Sequence, residues 1–145
     1  MAEFFDWEGE NLNDSHEPTV AKEGEYTIKL KDWKTDDEGH VIRLDSSDKK
    51  FMLPLMEVID CEGSEFMKEF THFLRLPSEE MTAKDNNKAK WNLKIFFESF
   101  GIDYQGRMDF SEVAEGDYTA DVILGVQDND EYGDQNYIKK FVSGA

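Results

Sequence analysis

Basic and aromatic side chains recur at alternate positions in two stretches of the sequence, where they could bind a polyanion. Tyr26, Ile28 and Leu30 alternate with residues that include Lys29 and Lys31, which is the period of a strand with one buried face. Residues 71–76 alternate similarly, with His72, Leu74 and Leu76 predicted to face inward. Flat rings can stack on nucleic-acid bases, and neighbouring cations can hold phosphates. The residues predicted to share the outward face are Lys29, Lys31, Trp33, Arg43, Phe73 and Arg75.

The same pattern has a second explanation, which the sequence leaves open. Long basic side chains can simply solvate a sheet face, while Trp33 and Phe73 lie beneath the N-terminal arm or the helix.

A helix is predicted from Thr82 to Phe100, followed by Gly101 as a left-handed cap. Its apolar arc contains Ala89, Leu93, Phe96, Phe97 and Phe100. The opposite arc contains Lys84, Lys88, Trp91, Lys94 and Ile95, so an aromatic ring lies among lysines. Lys88, Trp91 and Lys94 are therefore candidate extensions of the binding surface.

The last third of the chain predicts a closing β-hairpin. Residues 116–126 alternate in polarity, an acidic loop covers 127–134, and residues 135–142 form a shorter, mixed partner strand. Tyr132, Tyr137 and Lys139 are the candidate binding residues here. The loop begins like an EF-hand calcium site, but Tyr132 occupies the fifth position and Lys139 stands where a bidentate Glu is required. An acidic turn without metal is the favoured interpretation.

The remaining predicted elements are four strands and a linker. Strands are predicted near 24–33, 40–44, 51–60 and 70–76, with Pro54 suggesting an edge or a bulge. Residues 101–116 are interpreted as a linker.

Composition predicts one domain at residues 23–145, preceded by an acidic, flexible arm at residues 1–22. The net charge is -17, but 13 of the 16 basic residues lie between residues 22 and 94, so a local basic groove is compatible with the acidic total. The single cysteine, Cys61, excludes an intrachain disulfide and suits a reducing cytoplasm. Neither a signal peptide nor a membrane span is predicted.

The sequence contains none of the common enzyme motifs. It lacks a phosphate-binding loop, a nucleophile elbow and a zinc-binding His-Glu-x-x-His motif, and its three histidines are scattered. We therefore predict a protein that is not an enzyme.

The predicted fold class is mainly β (α+β). The order of the predicted elements indicates a five-stranded OB-fold-like Greek-key barrel with one helix between the third and fourth strands. The chain also resembles small bacteriophage-encoded OB-fold single-stranded DNA-binding proteins. The residues that carry the resemblance are Glu23–Ile28, Gly116–Val122 and Tyr132–Phe141.

The resemblance implies sequence-tolerant binding of single-stranded DNA during phage DNA replication or recombination, in the host cell cytoplasm and without a cofactor. Proteins of this kind often carry an acidic C-terminal tail that recruits replication enzymes and competes for the DNA groove. Here the acidic segment is N-terminal, with Phe4, Phe5 and Trp7 among its acids. The hypothesis is that Phe4–Glu10 mimics a nucleic-acid strand, and that the arm binds phage or host replication and recombination proteins.

The alternative is an acidic protein-interaction module, or a DNA mimic that inhibits a host enzyme. Its main support is the net charge of -17. This alternative predicts a continuous acidic face with no basic groove.

Overall fold

The computed structural model describes residues 15–128, 131 and 133–142. This part of the chain is mainly β, with eight strands and two α-helices. A single turn of 3-10 helix lies at Ser64–Phe66. The elements in chain order are β1 Gly24–Trp33, β2 Ile42–Leu44, β3 Lys50–Met52, β4 Pro54–Ile59, β5 Phe70–Thr71, β6 Leu74–Arg75, α1 Ala83–Phe100, α2 Phe110–Glu115, β7 Thr119–Gln127 and β8 Gln135–Phe141.

The strands form two antiparallel sheets. The main sheet has five strands in the order β5-β4-β1-β7-β8, and the small sheet has three in the order β2-β3-β6. The main sheet is curled, and its two edge strands, β5 and β8, lie close to each other. It therefore forms a half-barrel.

One bent hairpin connects the two sheets. Met52 pairs with Leu74 in the small sheet, and Leu55 pairs with Thr71 in the main sheet, so the two pairings continue in one register. The bend is at Leu53, where β3 ends and β4 begins. Pro54 is the first residue of β4, a position that tolerates the missing amide proton.

The core lies between the inner face of the curled sheet and α1. Ile28 and Leu30 from β1 and Leu124 from β7 are fully buried, as is Phe96 from α1. Removing such side chains from water is the main stabilising contribution to a fold of this size. The predicted apolar arc of the helix is thus the buried one, although Leu93 is only partly buried.

The ends of α1 follow from local chemistry. Thr82 Oγ1 accepts a hydrogen bond from Asp85 N at the N-terminus, and Gly101 closes the C-terminus with a φ of 73°. Both the helix and its glycine cap agree with the sequence-based prediction.

Three sequence-based expectations were wrong. Residues 70–76 do not form one strand, because the hairpin bend divides them into β5 and β6. Residues 51–60 are likewise divided, at Leu53, into β3 and β4. The predicted linker contains α2, whose N-terminus is capped by the Asp109 side chain.

The chain before β1 is attached to the domain. Thr19 forms a parallel bridge with Met67, and Ala21 is completely buried. Thr19 and Ala21 of the predicted arm therefore lie against the domain, and residues 1–14 lie outside the described residues. Neither α1 nor α2 is both long enough and apolar enough to cross a bilayer.

Candidate nucleic-acid interface

Trp33 was predicted to face outward, but it is buried. A β-bulge in β1 shifts its pairing with β4. Leu30 pairs with Met56 and Asp32 pairs with Leu55, so Lys31 is an extra residue in β1. The extra residue turns Trp33 to the same side as Leu30. Its side chain is 4% exposed, packs edge-on against Phe110 and donates Nε1–H to the Phe110 carbonyl at 3.0 Å.

The lysines predicted on the outer face of β1 are paired with acids. Lys29 Nζ lies 2.9 Å from an Asp117 carboxylate oxygen, and Lys31 Nζ lies 2.7 Å from Glu69 and 3.5 Å from Glu57. Hydrogen bonds to Asp117 and Glu69 raise the pKa values of Lys29 and Lys31, respectively. Neither lysine is therefore a free cation on the outer face of β1.

The candidate cation of the hairpin is paired with an acid. Lys139 forms an ion pair with Glu23. The Tyr137 ring lies over Gly125 of the neighbouring strand, where an added Cβ atom would be only 2.6 Å from Tyr137 Cζ. Tyr132 lies outside the described residues, so the predicted role of the acidic loop remains a prediction.

The small sheet brings the other predicted residues together. Phe51 stands opposite Arg43 on one side and Arg75 on the other, so the three side chains form a row across β2, β3 and β6. Phe73 is 68% exposed and meets Phe51 edge-on, with ring centroids 6.1 Å apart and an interplanar angle of 89°. We call Arg43, Phe51, Phe73 and Arg75 the arginine–phenylalanine surface.

The two arginines of this surface have no acidic partner within the described chain. Neither guanidinium forms a salt bridge with any carboxylate of residues 15–128, 131 or 133–142. Asp45 is the acid nearest in sequence to Arg43, but its carboxylate is hydrogen-bonded within the β2–β3 turn. Its carboxylate accepts from the Ser47 hydroxyl and from the backbone amides of Ser47 and Lys49, and these bonds lower the Asp45 pKa.

The remaining predicted residues lie on α1, separate from the small sheet. Trp91 is 57% exposed, and Lys94 Nζ lies 5.5 Å from the centroid of its ring. Lys84 and Lys88 precede Trp91 at helical spacing, and both are exposed. We call Lys84, Lys88, Trp91 and Lys94 the α1 lysine face.

The groove between the small sheet and the start of α1 has mixed charge. Its lining includes Arg75 and Lys50, but also Asp48, Glu80 and Asp85. The two cationic surfaces are therefore separated by acids.

Sequence reasoning missed Phe51, which connects the two arginines. Phe51 follows Lys49 and Lys50. An aromatic residue directly after two lysines was the sequence pattern that could have marked Phe51 as a candidate binding residue. Its position between Arg43 and Arg75 depends on the bent hairpin, since the three residues come from different parts of the chain.

No protein-family model matches the chain, and neither does any curated protein. The resemblance to phage single-stranded DNA-binding proteins therefore rests on the sequence segments alone. Within the described ranges, no group of three or more His, Cys, Asp or Glu side chains is arranged to hold a metal ion.

Proposed function

We propose that the protein binds single-stranded DNA, with little sequence preference, through the arginine–phenylalanine surface. One observation carries the proposal. Arg43 and Arg75 flank Phe51, lack acidic partners in the described chain, and lie beside the exposed ring of Phe73.

The dimensions of this surface suit an extended strand of nucleic acid. Adjacent strands lie about 4.8 Å apart, so the backbones of Arg43 and Arg75 are separated by about 10 Å across Phe51. Stacking of a base on an exposed aromatic ring contributes about 1–3 kcal/mol. In this proposal, Phe73 provides the stacking ring and the two arginines contact phosphates on either side.

The strand order supports an OB-fold, which is part of the proposal. If β3–β4 and β5–β6 each count as one bent strand, the main sheet has the order third-second-first-fourth-fifth, with α1 between the third and fourth strands. OB-folds bind oligonucleotides on the face of their second and third strands and on the adjoining loops. Phe51 lies in the bent second strand, Phe73 and Arg75 lie in the bent third strand, and Arg43 lies in the connection before the second.

A role in phage DNA replication or recombination is the biological part of the proposal. Its support is the resemblance carried by Glu23–Ile28, Gly116–Val122 and Tyr132–Phe141. Stacking and phosphate contacts require neither a cofactor nor catalysis, so the protein is proposed to act by binding alone.

The test is a titration of fluorescently labelled oligo-dT with the intact protein at low salt, followed by anisotropy. Arg43→Gln, Arg75→Gln and Phe73→Ala should each weaken binding, because each removes a phosphate contact or the stacking ring. Arg107→Gln is the matched control, since Arg107 is an exposed arginine in the loop before α2. Absence of binding by the parent protein at low salt, or equal losses for Arg107→Gln and Arg43→Gln, would refute the proposal.

The second candidate function is the acidic interaction module. The observation that favours it is the neutralisation of Lys29, Lys31 and Lys139 by carboxylates, in a chain of net charge -17. This candidate predicts no response to oligo-dT and salt-sensitive binding to a basic protein surface. The same titration therefore separates the two.

A further inference from the structure

The α1 lysine face is a cationic surface that the proposed DNA site does not use. Lys84, Lys88 and Lys94 are exposed, and none forms a salt bridge with a carboxylate in the described part of the chain. Trp91 lies among them with more than half of its side chain in contact with solvent. A ligand that covers this face needs negative charges and an apolar or aromatic group.

The N-terminal sequence has this composition. Residues 3–10 contain four acids, Glu3, Asp6, Glu8 and Glu10, and three aromatic residues, Phe4, Phe5 and Trp7. No Lys or Arg occurs before Lys22. The segment is therefore complementary to the α1 lysine face in both charge and aromatic character.

The chain joins the domain beside a strand that also contacts α1. His16 stacks on Phe66 with ring centroids 4.0 Å apart, and Ala21 is hydrogen-bonded to Asn136 in β8. Strand β8 also contacts α1, so the attachment point and the helix share one neighbouring strand. The eight residue-to-residue steps from Trp7 to Ser15 extend at most about 28 Å, which is most of the roughly 36 Å width of a domain of this size.

We propose that residues 3–10 of this chain dock on the α1 lysine face, with their aromatic rings against Trp91 and their carboxylates beside Lys84, Lys88 and Lys94. The attachment makes the contact intramolecular, so a weak interaction is favoured by an effective concentration that reaches about the millimolar range for short linkers. The proposal does not depend on DNA binding, because the acids of the intervening groove separate this face from the arginine–phenylalanine surface.

The test measures how accessible Trp91 is in the full-length protein. In a Trp7→Phe background, emission comes from Trp91 and from Trp33, which is buried and quenched little by acrylamide. Neutralising the segment (E3Q, D6N, E8Q and E10Q together) should raise the acrylamide quenching constant about twofold, because docking shields a ring that is otherwise largely exposed. K84Q/K88Q should have the same effect, and 0.5 M NaCl should do so in the background protein only, since salt screens exposed charge pairs.

The matched control is K49Q/K50Q, which removes two exposed lysines from the β2–β3 hairpin and should leave quenching unchanged. Equal quenching in the background, segment-neutralised and K84Q/K88Q proteins would overturn the proposal. Shielding that disappears on dilution would assign the contact to a second copy and overturn the intramolecular form.

Nucleic acid is the competing occupant, and oligo-dT distinguishes it. If oligo-dT shields Trp91 equally in the presence and absence of the segment charges, the α1 lysine face belongs to the DNA site and the docking proposal is wrong. If oligo-dT binds without changing Trp91 quenching, and neutralising the segment raises that quenching, both proposals are supported.

Discussion

The Asn136 side chain is hydrogen-bonded to both backbone groups of Ala21, a residue 115 positions earlier in the chain. Asn136 Oδ1 accepts from Ala21 N at 2.8 Å, and Asn136 Nδ2 donates to the Ala21 carbonyl at 2.8 Å and to the Gly125 carbonyl at 3.1 Å. Both residues are buried, so these groups have exchanged water for one another. The Asn136 side chain thus forms the pair of hydrogen bonds that a neighbouring strand would form, and it holds the segment before β1 against β8.

Replacing Asn136 with Leu should destabilise the fold. The substitution leaves the buried Ala21 amide and carbonyl without these partners, and each buried unsatisfied group costs about 1–3 kcal/mol. Urea denaturation of the parent and variant measures the difference in the free energy of unfolding. Asn92→Ala, at an exposed position on α1, should have a much smaller effect, and equal losses for the two variants would contradict the prediction.

His72 should make the stability of the protein sensitive to mild acid. Its ring stacks on Phe96 and meets Phe141 edge-on, and burial lowers its pKa below the ordinary value of 6.5. As pH falls below about 6.5, the unfolded chain takes up the proton first, which stabilises the unfolded state. His72 therefore causes no loss of stability above this pH. Below it, the free energy of unfolding falls progressively until the pH passes the lower pKa of His72 in the folded state.

His72→Phe should remove this part of the pH dependence. Unfolding free energies measured by urea denaturation between about pH 7 and pH 5 should fall less for the variant than for the parent, since His72 titrates in this window. Asn92→Ala, at an exposed position on α1, is the control and should leave the parent profile in place. Parallel profiles for the parent and His72→Phe would show that the protonation of His72 is not coupled to folding.

Trp33 should be important for stability and unimportant for DNA binding. Trp33→Phe removes the hydrogen bond from Nε1 to the Phe110 carbonyl, for which we expect a loss of about 1–3 kcal/mol in the free energy of unfolding. The affinity for oligo-dT should be unchanged under conditions in which the variant is folded. A large loss of affinity in a folded variant would contradict the buried position of Trp33 and support the outward position predicted from sequence.

The salt dependence of oligo-dT binding should identify the two arginines as phosphate contacts. Each phosphate contact with a single strand contributes about -0.7 to the slope of log K against log salt, so R43Q/R75Q should make the slope less steep by about 1.4. Anisotropy titrations at several NaCl concentrations give this slope, and Arg107→Gln should leave it unchanged. An unchanged slope in the double variant would place the phosphate contacts elsewhere.

Local periodicity was sufficient to predict the longest elements. The first strand, the α1 helix with its Gly101 cap, and the closing hairpin were all identified from spacing, because each alternation or helical repeat lies within one continuous stretch. The short strands were less predictable. At two or three residues each, they depend on which neighbour they pair with rather than on their own pattern.

The sequence by itself determined the mainly β character of the chain, the two faces of α1, and the presence of cations and aromatics in its middle third. The tertiary structure decided which of these could act together. One bulge in β1 buried Trp33, and carboxylates from distant segments neutralised Lys29 and Lys31. The bent hairpin placed Phe51 between Arg43 and Arg75. The physical reason is that side-chain direction and charge pairing depend on strand register and long-range packing, which a single local period does not specify.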